Sequence, residues 1–217
     1  MARKRAAVLI SGRGSNMAAL IAAAQDPAYP ADIALVVSNV AGAGGLAIAR
    51  EHRIPTLVVE HSRFGRDREG FERALNDILR EHRIEFVCLA GFMRLLTPFF
   101  VEAWQGRLLN IHPALLPSFR GLDTHRRALE AGVRIHGATV HFVVPEMDAG
   151  PIIAQAALAV ADSDTPDTLA SRVIKLEHRI YPLALRLVAE GRVRIADGRC
   201  VSDAEVDRDD VLIAPHA

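Results

Sequence analysis

The chain has 217 residues, half of them apolar, and its 26 lysines and arginines balance 26 aspartates and glutamates. A composition this apolar and weakly charged excludes dominant disorder and allows a sizeable core. Formal neutrality leaves no basic surplus for a general nucleic-acid or anionic-membrane binder. Two cysteines, Cys88 and Cys200, make neither a disulfide framework nor a zinc site. The basic start Arg3-Lys4-Arg5 precedes an apolar run, Ala6–Ile10, too short for a signal-peptide core. The uncharged stretches 33–49 and 149–161 are broken by Gly, Asn or Gln. The expectation is a cytoplasmic protein, monomer or homodimer, that handles small molecules and has no nucleic-acid or membrane partner.

In chain order, Ala6–Ile10, Ile33–Ser38, Thr56–Val59 and Phe86–Ala90 are short apolar runs of the kind buried on both faces of a parallel sheet. Between them the pattern predicts helices over Ser15–Ala24, Gly44–Glu51 and Gly65–Glu81. In the third, Phe71, Leu75, Ile78 and Leu79 fall on one helical face. This alternation predicts a Rossmann-like α/β fold: a mostly parallel twisted sheet with helices on both faces. Thr97-Pro98 reads as an N-cap and first helical residue, opening a helix to Trp104. Leu108–Ile111 is a strand running into Asn110-Ile111-His112-Pro113, and the loop 113–123 leads to a helix from Thr124. Ala138–Val144 and Ile152–Val160 are separated by too few residues for a crossover, so antiparallel strands are expected in the C-terminal part. A helix from Pro166 to Glu190 follows, with Leu169, Val173, Leu176, Ile180, Leu183 and Leu187 along one side and a kink expected at Pro182. The Asp197-Gly198 turn between Val193–Ile195 and Cys200-Val201 predicts a terminal hairpin. With no repeat or linker, residues 1–203 are expected to be one domain and 204–217 a mobile C-terminal tail.

Ser11-Gly12-Arg13-Gly14-Ser15-Asn16 joins the first strand to the first helix. Glycines let the backbone approach an anion, and the helix N-terminus offers N–H groups and partial positive charge. The spacing lacks the Lys-Ser/Thr of a P-loop. It also lacks a dinucleotide fingerprint, because Ser38-Asn39 stands where an acid would follow the second strand. A phosphomonoester or mononucleotide suits the loop better than a dinucleotide; a tight turn with no ligand is the competing reading.

Asn110 and His112, two apart at a strand end, share a side of that strand. An amide that can donate to a developing oxyanion, beside an imidazole that moves protons, suits acyl chemistry. Asp148, in an Asp-Ala-Gly-Pro turn, would favour the imidazolium if it approached His112. Each also has a plainer reading, as a hydrogen-bonded turn residue. His112, His125, His136 and His141 raise a metal option, but no HExxH or cysteine-rich spacing supports it. A serine hydrolase lacks its Gly-x-Ser-x-Gly elbow.

Four segments in order, Ile10-Ser11-Gly12-Arg13-Gly14-Ser15-Asn16, Leu89-Ala90-Gly91-Phe92-Met93-Arg94, Asn110-Ile111-His112-Pro113-Ala114-Leu115-Leu116-Pro117 and His136-Gly137-Ala138-Thr139-Val140-His141-Phe142, closely resemble the folate-dependent phosphoribosylglycinamide formyltransferase family. The resemblance runs from about residue 6 to 201. It implies transfer of the formyl group of 10-formyltetrahydrofolate, as co-substrate, to the amine of 5′-phosphoribosylglycinamide in purine biosynthesis, with no metal. On the family's pattern Asn110, His112 and Asp148 are the catalytic trio. Gly14, Ser15 and Asn16 hold the substrate phosphate, and Glu177 binds its ribose. Arg68, Met93, Arg94, Leu95, Leu96, Val144 and Asp148 are folate-site positions, with Val144–Asp148 lining the pterin pocket. Two departures stand out: Arg13 replaces a smaller polar residue, and Ser118-Phe119-Arg120-Gly121 replaces a common Lys-Tyr-Pro-Gly. The rival readings are a 10-formyltetrahydrofolate hydrolase and a catalytically silent folate- or nucleotide-binding module. The length is expected to leave no room for a regulatory or tRNA-binding domain.

Overall fold

The computed structural model describes residues 2–204 and 212–214, so most of the segment expected to be a mobile tail lies outside the described residues. The strands β1 (Lys4–Ile10), β2 (Ala31–Ser38), β3 (Thr56–Val58), β4 (Phe86–Leu89), β5 (Leu108–His112), β6 (Ile135–Phe142) and β7 (Ile152–Ala159) form a mixed sheet in the order β3-β2-β1-β4-β5-β6-β7. The pairs among β1 to β5 are parallel, and β6 pairs antiparallel with β7, as the connection lengths require. The chain divides into two compact units, one running through Asn110 and including Phe142–Pro145, the other comprising Ile111–His141 and the chain from Glu146.

In the first unit both faces of the sheet are covered. Ala7, Leu9, Leu35, Val37, Val87 and Leu89 share one core with Phe71, Leu75 and Leu79 of α3 (Arg68–Glu81) and Phe100 and Val101 of α4 (Pro98–Ala103). On the other parity Ile10 lies against Gly45, the first residue of α2 (Gly45–Glu51), whose Cβ would meet Ile10 Cδ1 at 2.6 Å. Also buried are Met17, Leu20 and Ile21 of α1 (Ser15–Ala24). Each fully buried leucine contributes about 1.5–3 kcal/mol, and the near-uncharged strands are the sequence counterpart of a sheet covered on both faces.

Two local details depart from expectation. Helix α3 starts at Arg68, not Gly65, because Asp67 caps it by accepting the Gly70 N–H at 2.8 Å; His61–Phe64 forms a 3₁₀ turn that the sequence pattern did not mark. Thr97 is the N-cap of α4, but its hydroxyl does not cap: it donates to the buried Glu72 carboxylate, which also accepts the Thr97 N–H at 2.7 Å.

In the second unit β7, paired with β6, packs with α6 (Pro166–Ala189), and α5 (Thr124–Glu130) packs on α6. Strand β6 begins at Ile135, three residues before the expected start. Gly137 allows this, since a Cβ there would stand 1.9 Å from the Ala156 carbonyl oxygen. Helix α6 continues through Pro182, and Thr165 with Thr168 closes a capping box at its start. Leu183, expected on the buried side, is instead 47% exposed. The buried stripe is centred on Glu177, Tyr181 and Ala184 and also takes in Leu185 and Val188, which leaves the Leu176–Leu183 line at its edge. The terminal hairpin forms as β8 (Val193–Ala196) and β9 (Arg199–Ser202).

Candidate active site

The loop after β1 is built around Gly14. Its φ of 78° is left-handed, and a Cβ there would meet the Gly45 Cα at 2.8 Å, so two independent constraints demand glycine. The Gly45 N–H donates to the Gly12 carbonyl at 3.0 Å, seating the loop on the start of α2. Gly14 is also the N-cap of α1, with no side-chain cap on that helix. The first turn of α1 therefore has the makings of an anion site. Ser15 is exposed there and Asn16 is buried, while Arg13 is exposed.

After β4 the chain turns at Gly91, with φ 69°, into a segment without regular secondary structure. Phe92, Arg94 and Leu96 are half-buried, with Phe92 and Leu96 packed on the core, whereas Met93 and Leu95 are 70% and 62% exposed. Val144 is half-buried, and Arg68 is exposed at the first turn of α3.

At the end of β5, the pleat puts Asn110 and His112 on one side of the strand. His112 is almost fully buried. Its Nδ1 lies 3.4 Å from Asp148 Oδ2, and its Nε2 lies 3.0 Å from the Phe119 carbonyl oxygen. Asp148 sits at a left-handed φ of 51°, and its Oδ2 also accepts the Gly121 N–H at 2.8 Å. The loop carrying Phe119 and Gly121 includes a cis Leu116-Pro117 bond and is tied down at Ala114 and Leu116. There the Thr139 hydroxyl donates to the Ala114 carbonyl and accepts the Leu116 N–H, and Gln155 Nε2 donates to the Leu116 carbonyl and to the Thr139 hydroxyl.

The sequence pattern missed His141 as a neighbour of this pair. Expected in mid-strand, it lies one residue from the end of β6, where the β6–β7 register shifts, and its Nε2 is 3.9 Å from Asp148 Oδ1. Nor does any sequence signal mark Phe119, which takes part through its backbone carbonyl. His136 and His125 belong to a different cluster, with their rings edge-to-face at 5.4 Å and Phe119 edge-on to His136 at 5.9 Å. Burial, and then the nearby His125, push His136 down to about 4, against the opposing pull of the Pro113 carbonyl. Burial and the neighbouring His112 also lower His125. Among the described residues no group of three or more His, Cys, Asp or Glu side chains could hold a metal ion. Glu177 is a carboxylate on the buried stripe of α6, 6% exposed.

A formyl transferase family model matches residues 4–185. The chain belongs to the formyl transferase family. Its relatives within that family include the phosphoribosylglycinamide formyltransferase of Escherichia coli, 44% identical over 91% of this chain and 93% of that one. The crystal structure of glycinamide ribonucleotide transformylase 1 from Symbiobacterium toebii superimposes with a TM-score of 0.89 at 43% identity, covering 92% of this chain and 94% of that one. The trifunctional purine biosynthetic protein adenosine-3 of Gallus gallus is 51% identical over 89% of this chain, which spans only 19% of that relative's length. Among the described residues, no helix is long and apolar enough to cross a membrane.

Proposed function

We propose that the chain transfers the formyl group of 10-formyltetrahydrofolate to the amine of 5′-phosphoribosylglycinamide, acting as one catalytic domain through residue 203. The observation that carries this reading is the buried His112–Asp148 pair, 3.4 Å apart, at the end of the strand that holds Asn110 on the same side. The amine attacks the formyl carbon directly and a tetrahedral intermediate forms. The Asn110 amide donates to the developing oxyanion, the role in which a fixed donor acts more strongly on the transition state than on the ground state. Asp148 orients the imidazole through Nδ1. His112 Nε2 exchanges its contact with the Phe119 carbonyl for proton transfer, directly or through water: it gives a proton to the departing folate nitrogen and takes one back from the attacking amine. The C–N bond to folate breaks, and tetrahydrofolate leaves with the formamide product.

The remaining residues bind. Gly14, Ser15 and Asn16 at the uncapped start of α1 receive the phosphate, with Arg13 adding charge nearby. Glu177 accepts hydrogen bonds from the ribose hydroxyls. Met93 and Leu95 offer exposed apolar surface to the flat folate ring. Arg94, Leu96 and Val144 complete that subsite, and Arg68 meets the anionic tail. The partners are thus small molecules, and the expected compartment is the cytoplasm.

Incubation with 10-formyltetrahydrofolate, with and without glycinamide ribonucleotide, decides among the readings when tetrahydrofolate release is followed. Turnover that depends on glycinamide ribonucleotide is the expected result. Turnover independent of it would replace the transferase with a hydrolase, and no turnover would leave a silent binding module.

A further inference from the structure

Strand order in the first unit reverses at one place. From β1 the chain proceeds outward through β2 to β3, then returns to β4 on the other side of β1 and proceeds to β5. In open α/β sheets the crevice beyond the carboxyl ends of the strands at such a reversal receives ligands. One side chain spans it. Ser11, the residue after β1, donates its backbone N–H to the Gly91 carbonyl at 3.2 Å. Its hydroxyl accepts the Met93 N–H at 2.8 Å and donates to Asn39 Oδ1 at 2.6 Å. Asn39, the residue after β2, is 4% exposed, and its own N–H returns to the Ile10 carbonyl at 3.4 Å. His61 Nδ1 holds Asn39 from the far side, 3.2 Å from its side-chain nitrogen and 3.0 Å from its carbonyl oxygen. A single hydroxyl therefore joins the segments that leave β1, β2 and β4.

Its two neighbours along the chain give that junction its consequence. Downstream, the glycine loop is fixed at Gly12 by the Gly45 N–H and at Gly14 by close contact with Gly45, so Ser11 is the end of the loop that faces β4. Across the crevice, the exposed Met93 is tied through its backbone N–H to this hydroxyl. We propose that Ser11 is a positioning residue that holds the glycine loop and the 92–96 segment in one mutual arrangement, so that occupancy of the phosphate subsite favours occupancy of the folate subsite. This rests on the proposed assignment of Gly14–Asn16 to the phosphate and Met93–Leu96 to folate. Ser11 touches neither reacting group in this scheme. Its effect belongs in the binding of the folate, and in the linkage between the two ligands, which is reciprocal.

The test compares the wild-type chain with Ser11→Ala and Ser11→Thr in steady-state kinetics. It adds calorimetric binding of tetrahydrofolate with and without glycinamide ribonucleotide. Loss of one hydroxyl that serves two partners is expected to raise KM for 10-formyltetrahydrofolate about tenfold, with the loss falling on KM rather than kcat. It is also expected to abolish the gain in tetrahydrofolate affinity that glycinamide ribonucleotide produces in the wild type, and Ser11→Thr, which keeps the hydroxyl, is expected to restore both. Asn39→Ala removes the acceptor from the other end and is expected to weaken the same linkage, so the test survives if Ser11→Ala fails to fold. An unchanged folate KM, an intact linkage in the alanine variants, or threonine failing to rescue overturns the proposal. A wild-type chain that does not formylate glycinamide ribonucleotide overturns the underlying site assignment instead, independently of any variant.

Discussion

Replacing Asn110 or His112 by alanine removes, respectively, the proposed oxyanion donor and the proposed proton donor, and each change is expected to lower kcat by roughly two to three orders of magnitude. Single-turnover measurement at saturating substrates checks this, and near-normal turnover in both variants would remove the trio from the chemistry. At this scale the sequence was informative where a side chain does the work. Asn110 and His112 are legible as a pair because the strand period puts them on one side, and Asp148 does lie against His112. The surrounding contacts were not legible. Phe119 acts through a carbonyl, which every residue possesses. The Thr139–Gln155 clamp joins residues on neighbouring antiparallel strands with loop carbonyls far away in sequence. His141 approaches Asp148 at a register shift that alternation alone does not reveal.

Helix α3 allows the sequence pattern to be tested at the scale of an element. Its periodicity names Phe71, Leu75, Ile78 and Leu79 as one face, yet only Phe71, Leu75 and Leu79 are fully buried, with Ile78 at the margin of the core. Leu75→Ala is therefore expected to cost about 2–5 kcal/mol, a fall of roughly 5–15 °C in melting temperature for a chain of this size. Ile78→Ala should cost distinctly less, and thermal denaturation of the two variants side by side measures the difference. Equal losses would mean that the helix is rotated from the orientation described. Two polar side chains interrupt this face: Glu72 serves Thr97, and Asn76 Oδ1 accepts the Trp104 indole N–H at 3.1 Å. A hydrophobic template passes over such positions, since their partners lie more than twenty residues away. Element boundaries failed for the same kind of reason. The β6 start was hidden because Gly137 resembles a breaker, whereas here it permits the Ala156 backbone to approach.

For the whole molecule, zero formal charge conceals an uneven response to acid. His136, in the second unit, is held down to about 4 chiefly by burial, and burial also lowers His125 and His178. In the unfolded chain each titrates near the ordinary histidine value of about 6.5. Between those limits the unfolded state binds protons that the native state refuses, so stability rises with pH through this window and falls as the solution is acidified. The loss begins near pH 6.5 and continues until His136 itself is protonated near 4, a contribution from that residue of no more than about 3 kcal/mol. Substituting the ring by an apolar side chain of similar volume, His136→Leu, removes one such group. Urea denaturation at intervals from pH 7 to 4 should then show a shallower decline than the wild type, with the two curves separating most clearly below pH 6. Parallel curves would mean that His136 takes up its proton in the native state as readily as in the unfolded one, and the burial described for it would not govern its titration. The expected direction is opposite to that of a histidine stabilised by a carboxylate partner, so the sign of the slope distinguishes the two environments without any assignment of individual resonances.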